Sequence, residues 1–194
     1  MDETPTTRER LLQSALDLFS KKGFEATSVD EIAESIGIKG PNIYKYFKGK
    51  KGLFLELVNR TRDHYYNDMS FDKAVISLDE LKEFSLRQIR FTISDETVMK
   101  MRKMYTIEQF GNEEIGKLAT IFQYNNIAGL YKNIFGKMME AGTIKKCDPE
   151  LLALEYFAPA TLMIQLCDRE PERIDEAMSI IERHIDFFID THLR

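Results

Sequence analysis

A chain of 194 residues with 43% hydrophobic content can bury a core without staples, as one large unit or two small ones. Its two cysteines, Cys147 and Cys167, make neither a disulfide framework nor a metal-ligand pair, and nine methionines with 30% charged residues suit a reducing bacterial cytoplasm. The start, Met1-Asp2-Glu3-Thr4-Pro5, lacks the order of a signal peptide, no apolar run approaches the length of a bilayer span, and a net charge of −5 argues against a general polyanion binder.

The dominant period is helical, and no alternating apolar run bounded by turns points to a sheet, so an all-α fold of about nine helices is expected. The first helix opens at Thr6, with Glu9 as capping-box partner, buries Leu12, Ala15, Leu16 and Phe19, and stops at Gly23. A second capping box, Ser28 with Glu31, starts a short helix ending near Ser35, and Gly37 supplies the turn. A third short helix runs from Gly40 to Phe47. A fourth opens after Gly49 and Gly52, with Leu53, Phe54, Leu57 and Val58 on its apolar side, and ends before Phe71. Longer helices follow over Leu78–Ile93, Glu96–Phe110, Glu113–Ala141, Pro149–Cys167 and Pro171–His192. Asp148-Pro149 reads as an N-cap with proline at N1, and Pro159 falls inside a helix that it should kink.

Two short helices crossing steeply need a small residue at the crossing, a flexible residue in the turn and apolar residues under the second helix. Ala33, Gly37 and Ile43 fill those places, with Ile36, Ile38 and Phe47 completing a small core. The third helix then turns Pro41, Asn42 and Lys45 outward, flanked by Tyr44 and Tyr46, a surface suited to a DNA major groove. Residues 1–52 carry nine Lys/Arg against eight Asp/Glu, while the remainder carries 18 against 24. Between Glu34 and Glu56 every charge is positive: Lys39, Lys45, Lys48, Lys50 and Lys51. Asn42 and Lys45 are the candidates for direct base readout.

The run from Thr7 to Ile38, followed by Ile43-Tyr-Lys-Tyr-Phe-Lys-Gly-Lys-Lys-Gly-Leu-Phe, resembles the tetracycline-repressor (TetR) family over about residues 6–58. The resemblance implies a homodimeric, ligand-responsive repressor of palindromic operator DNA, with a helix-turn-helix DNA-binding domain over residues 1–49. Residues 50–194 would then form a helical effector-binding and dimerisation domain. It implies phosphate contacts at Ser28, Tyr44, Tyr46 and Lys50, and base contacts within reach of Lys39, Gly40, Pro41, Asn42 and Lys45. Two positions depart from the usual pattern: Lys39 stands where a capping serine is common, and Gly40 where a longer polar side chain often sits. The fourth helix, beginning near Lys50, would be the lever between effector and DNA.

One recognition helix reads too few bases, so two are expected about 34–36 Å apart or a multiple of this. The last helix presents Ile174, Ala177, Met178, Ile181, Ile185 and Phe188 on one stripe, and Leu151 to Leu166, including Leu162, is apolar almost all round. By pattern alone these helices either pack within one chain or pair two copies. The resemblance, in which the last two helices form an intersubunit bundle, favours a homodimer. Aromatic and sulfur side chains concentrate in the middle helices at Met99, Met101, Met104, Tyr105, Phe110, Phe122, Tyr124, Tyr131, Phe135 and Met138. Met101, Met104, Tyr105, Phe122, Tyr131 and Phe135 are the candidate pocket for a largely apolar effector, although the same spacing also describes core.

Catalysis has little support. His64, His184 and His192 are scattered, no phosphate-cradling loop or nucleophile elbow occurs, and Glu108, Glu113 and Glu114 lack the helical Glu-x-x-His pattern of a di-metal site. No enzyme activity, metal or cofactor is expected. A DNA-binding protein without an effector is the alternative, and a helical enzyme the remoter one.

Overall fold

The computed structural model describes residues 4–68 and 77–193, side chains of 66–68 aside, and these residues contain nine α-helices and no strand. They fall into two compact units that interleave along the chain, one formed by the residues up to Asp68 with Glu96–Ala119, the other by Ser77–Asp95 with Thr120 onward.

In the first unit α1 spans Thr7–Lys22, and its capping box is formed by Thr6 N–H donating to Glu9 at 2.8 Å and Glu9 N–H donating to Thr6 Oγ1 at 3.3 Å. The expected stripe of Leu12, Ala15, Leu16 and Phe19 is buried, joined by Leu11. Helix α2, Val29–Ser35, has the same reciprocal cap between Ser28 and Glu31. Gly37 turns the chain at φ +78°, a left-handed conformation that suits glycine. The next segment, Gly40–Lys45, is a 3-10 helix rather than an α-helix, held by bonds such as Asn42 N–H to Lys39 C=O at 2.9 Å. Pro41 sits in its first turn, where the missing N–H costs no hydrogen bond. Ala33, Ile43 and Phe47 are buried beneath it, while Ile36 and Ile38 are only half-buried.

Helix α3, Gly49–Asp68, buries Leu53, Phe54, Leu57 and Val58; Phe71, beyond its end, lies outside the described residues. Helix α5, Glu96–Glu108, packs on α1 and α3, and α6 is Glu113–Thr120.

The second unit begins with α4, Leu78–Ser94, capped by Ser77 and Glu80, and α4 packs on α8 and α9. The expected single helix over Glu113–Ala141 is broken by a π-helical turn at Ile121–Asn125, marked by Asn126 N–H reaching back five residues to Ile121 C=O. Backbone angles on either side stay helical, so the hydrophobic period hardly registers the insertion. Helix α7 is Asn126–Glu140, and α8 is Pro149–Arg169, with Asp148 Oδ1 accepting from Glu150 and Leu151 N–H at 2.9 and 3.2 Å. The expected last helix resolves into a 3-10 turn at Pro171–Arg173, α9 at Ile174–Phe188 and a π turn at Ile189–Leu193.

Helix α8 is long and apolar enough to cross a bilayer by length and composition, which corrects the expectation that no apolar run reaches that size. Its buried side, with Leu152, Tyr156, Phe157, Ala160 and Ile164, packs on α4, α7 and α9. An aromatic cluster holds these helices together: Tyr156 lies 5.0 Å from Tyr131, 5.4 Å from Phe135 and 5.0 Å from Phe188, ring centre to ring centre.

Candidate DNA-reading surface

The 3-10 helix is held from below by Ile43 and opens outward through Pro41, Tyr44, Lys45 and Tyr46, all exposed, with Tyr44 at 66%. Lys39 and Lys48 extend the same basic stretch and are also exposed, while Asn42 is half-buried. Gly40 is buried, and a Cβ added there would meet Asp30 Oδ1 at 1.7 Å. The carboxylate of α2 thus occupies the space that a longer residue at position 40 would use, which accounts for glycine at that point.

Two of the expected phosphate-contacting side chains already have work within the unit. Ser28 Oγ–H donates to Glu31 Oε2 at 3.0 Å as part of the cap. Lys50 Nζ donates to Phe24 C=O at 2.8 Å and Glu25 C=O at 3.2 Å, and sits 4.4 Å over the Phe24 ring. Phe24 in turn lies against Phe19 and Phe54. Lys50 therefore closes the turn between α1 and α2 from the start of α3.

Glu108 grips the same turn from α5. Its buried carboxylate accepts Glu25 N–H at 2.9 Å and fills the space over Gly23, where an added Cβ would fall 2.2 Å from Oε1. Asn112 adds a bond to Glu25 Oε1 at 2.8 Å. Glu108, which the sequence marks only as lacking a metal-site pattern, is a clamp on the helix-turn-helix, and no local pattern could have found it across 83 residues. Among the described residues no three His, Cys, Asp or Glu side chains gather as a metal site.

Electrostatics reinforce the local geometry. Glu31 is lowered to about 2, first by its hydrogen bond from Lys22 and then by the Ser28 N–H and hydroxyl. Burial pushes the phenols of Tyr105 and Tyr156 upward, so both stay neutral and act only through hydrogen bonds and packing.

The candidate pocket residues divide between the units. Met101, Met104 and Tyr105 are buried in the first, and Tyr131 and Phe135 in the second, where Phe122 is half-buried. Two surface clefts of the first unit, beside Gln13 and Asp17 and beside Leu57 and His64, include none of the six. Of the candidate dimer residues, Leu151 and Leu162 are 59% and 57% exposed and Ile174 is half-buried. Met178, Ile181, Ile185 and Phe188 are at most 7% exposed within a single chain. Their stripe faces α4 and α8 of the same unit rather than offering surface to a second copy.

A capped positioning helix, a glycine turn and an outward basic-aromatic element make up a helix-turn-helix. Residues 11–57 match the family model for bacterial regulatory proteins of the tetR family. It is 29% identical over 119 residues to IcaR of Staphylococcus aureus strain Newman, the negative transcriptional regulator of the icaADBC biofilm operon, covering 60% of this chain and 63% of that one. It is 38% identical over 88 residues to YttP of Bacillus subtilis strain 168, described as a probable transcriptional regulator, covering 45% of this chain and 42% of that one. The chain thus spans under two thirds of the length of these curated relatives. The solved complex of triclosan with SmeT, the repressor of the Stenotrophomonas maltophilia efflux pump SmeDEF, shares the fold at a TM-score of 0.73 and 17% identity, covering 97% of this chain and 92% of that one.

Proposed function

We propose that the protein is a homodimeric transcriptional repressor that binds a palindromic operator and is released by a small effector. The exposed Pro41-Tyr44-Lys45-Tyr46 surface, seated on a rigidly capped helix-turn-helix, is the observation that carries this reading. Residues 1–49 supply DNA binding, and residues 50–194 supply effector binding and dimerisation. Asn42 and Lys45 read bases, with Lys39 and Pro41 beside them; Tyr44 and Tyr46 hold phosphates. Gly40 keeps Asp30 in place, and Ser28 and Lys50 serve the interface chiefly by fixing the turn that presents it. Operator DNA places the protein in the cytoplasm.

The dimer surface is the exposed face of α8, where Leu151, Leu154, Ala158 and Leu162 recur at helical spacing, together with Phe187 of α9. The triclosan complex of SmeT supports an effector for this chain as well. An effector weakens DNA binding only by favouring the arrangement that does not fit the operator, through a coupling of typically about 1–3 kcal/mol. Glu108 and Lys50 give α5 and α3 a direct hold on the α1–α2 turn, through which such a coupling can act.

Selection of bound DNA from a random pool tests the reading. A palindromic consensus is expected, and recovery of unenriched DNA would overturn it.

A further inference from the structure

The second unit buries more hydrogen-bonding capacity than it satisfies. Gln88, on α4, is 5% exposed, and among the described residues neither its Oε1 nor its Nε2 has a hydrogen-bond partner. Ser85, one turn away on the same face, is fully buried but receives two phenol donors, Tyr156 at 2.8 Å and Tyr131 at 3.2 Å. Both lone pairs of its hydroxyl are thereby used, leaving none for the Gln88 amide hydrogens. A second amide, Gln123 Nε2, is also buried without a partner, and it lies in the π turn Ile121–Asn125, the kind of local widening that often accompanies a functional site. Buried amides are almost always satisfied, so an open carboxamide beside a serine whose lone pairs are taken calls for a partner from elsewhere.

We infer that Gln88 is the polar anchor of the effector site, and that the effector carries a neutral group with adjacent hydrogen-bond acceptor and donor, such as a carboxamide, on an apolar body. This rests on the regulator reading and deepens it. Charge favours a neutral group: among the described residues the buried polar side chains of this unit are Ser85 and Gln88, with no buried Asp, Glu, Lys or Arg to pair a charged ligand. The apolar part of the ligand meets aromatic side chains such as Tyr131 and Phe135. The expectation of a largely apolar effector is thus sharpened by one specified polar group.

The test uses heptanamide and N,N-dimethylheptanamide, which keeps the acceptor but lacks the donors, titrated calorimetrically into the wild-type protein and Gln88→Leu. Wild type is expected to bind the primary amide at least about tenfold more tightly, and Gln88→Leu to lose that preference. Ligand-free Gln88→Leu is expected to melt no lower than wild type, because removing an unsatisfied amide takes away no bond that holds the fold. Absent or equal binding by wild type, a preference retained in Gln88→Leu, or a clear drop in its melting temperature would each overturn the assignment. Operator binding by both proteins, measured in parallel, separates the two claims. If both bind operator and neither discriminates the amides, the subsite fails alone; if neither binds operator, the regulator reading fails whatever the amides do.

Discussion

At Gly23 the backbone is at φ +89° and Glu108 fills the space where a side chain would begin, so two independent constraints meet on one residue. Gly23→Ala should cost about 1–3 kcal/mol of stability, read from urea unfolding, and a change within a few tenths would show that the clamp yields easily. Glu31 supplies a pH-dependent contribution. Its carboxyl is held at about 2 in the folded protein against an ordinary 4.5, so its share of stability is present above the ordinary value and is lost as pH falls toward 2. Glu31→Gln should therefore lower the melting temperature at neutral pH, with the gap from wild type narrowing below about pH 4. A constant gap across that range would remove the electrostatic account. On the DNA-facing side, Asn42→Ala and Lys45→Ala should change the preferred sequence by about 1–3 kcal/mol of discrimination, whereas Tyr44→Phe should weaken all sequences alike. An unchanged preference in both alanine variants would take base readout away from these residues.

Among the elements, those with local punctuation were legible in the sequence. Thr6 with Glu9, Ser28 with Glu31, and Asp148 with Pro149 each announce a helix start through side chains three residues apart or fewer, and all three caps form. Winding was less legible, because 3-10 and π turns differ from an α-helix by one residue per hydrogen bond and leave the apolar period almost intact, as at Gly40–Lys45 and Ile121–Asn125. An amphipathic stripe also reports that a face is covered without naming what covers it. The Met178-Ile181-Ile185-Phe188 stripe of α9 is covered by its own chain, while Leu162 on α8 stays open. The two should respond differently to substitution. Leu162→Arg should leave the fold intact and raise the dimer dissociation constant at least about tenfold by sedimentation, whereas Ile181→Ala should cost about 2–5 kcal/mol of stability. A monomer-dimer equilibrium unmoved by Leu162→Arg would place the interface elsewhere.

For the whole molecule, long-range pairing decides what sequence could not show. The helix-turn-helix was readable because its capping, turn and core residues lie within about twenty positions of each other, but its clamp comes from Glu108 of α5 and Asn112 just before α6, which join the first unit from beyond residue 95. The candidate pocket was read as a concentration of Met and aromatic residues, of which Met101, Met104 and Tyr105 are buried in one unit and Tyr131 and Phe135 in the other, while the open amide of Gln88 was overlooked as one polar residue in an amphipathic helix. An acidic molecule with a local basic stripe also predicts how DNA binding responds to salt: affinity for any duplex should fall as salt releases the phosphate contacts, while the excess for operator persists. The most direct test is therefore fluorescence anisotropy on the selected palindrome and on its scrambled counterpart, from low salt to about 0.2 M. The account predicts at least about a thousandfold preference for the palindrome near physiological salt; equal affinities that fall together along one counterion slope would contradict it.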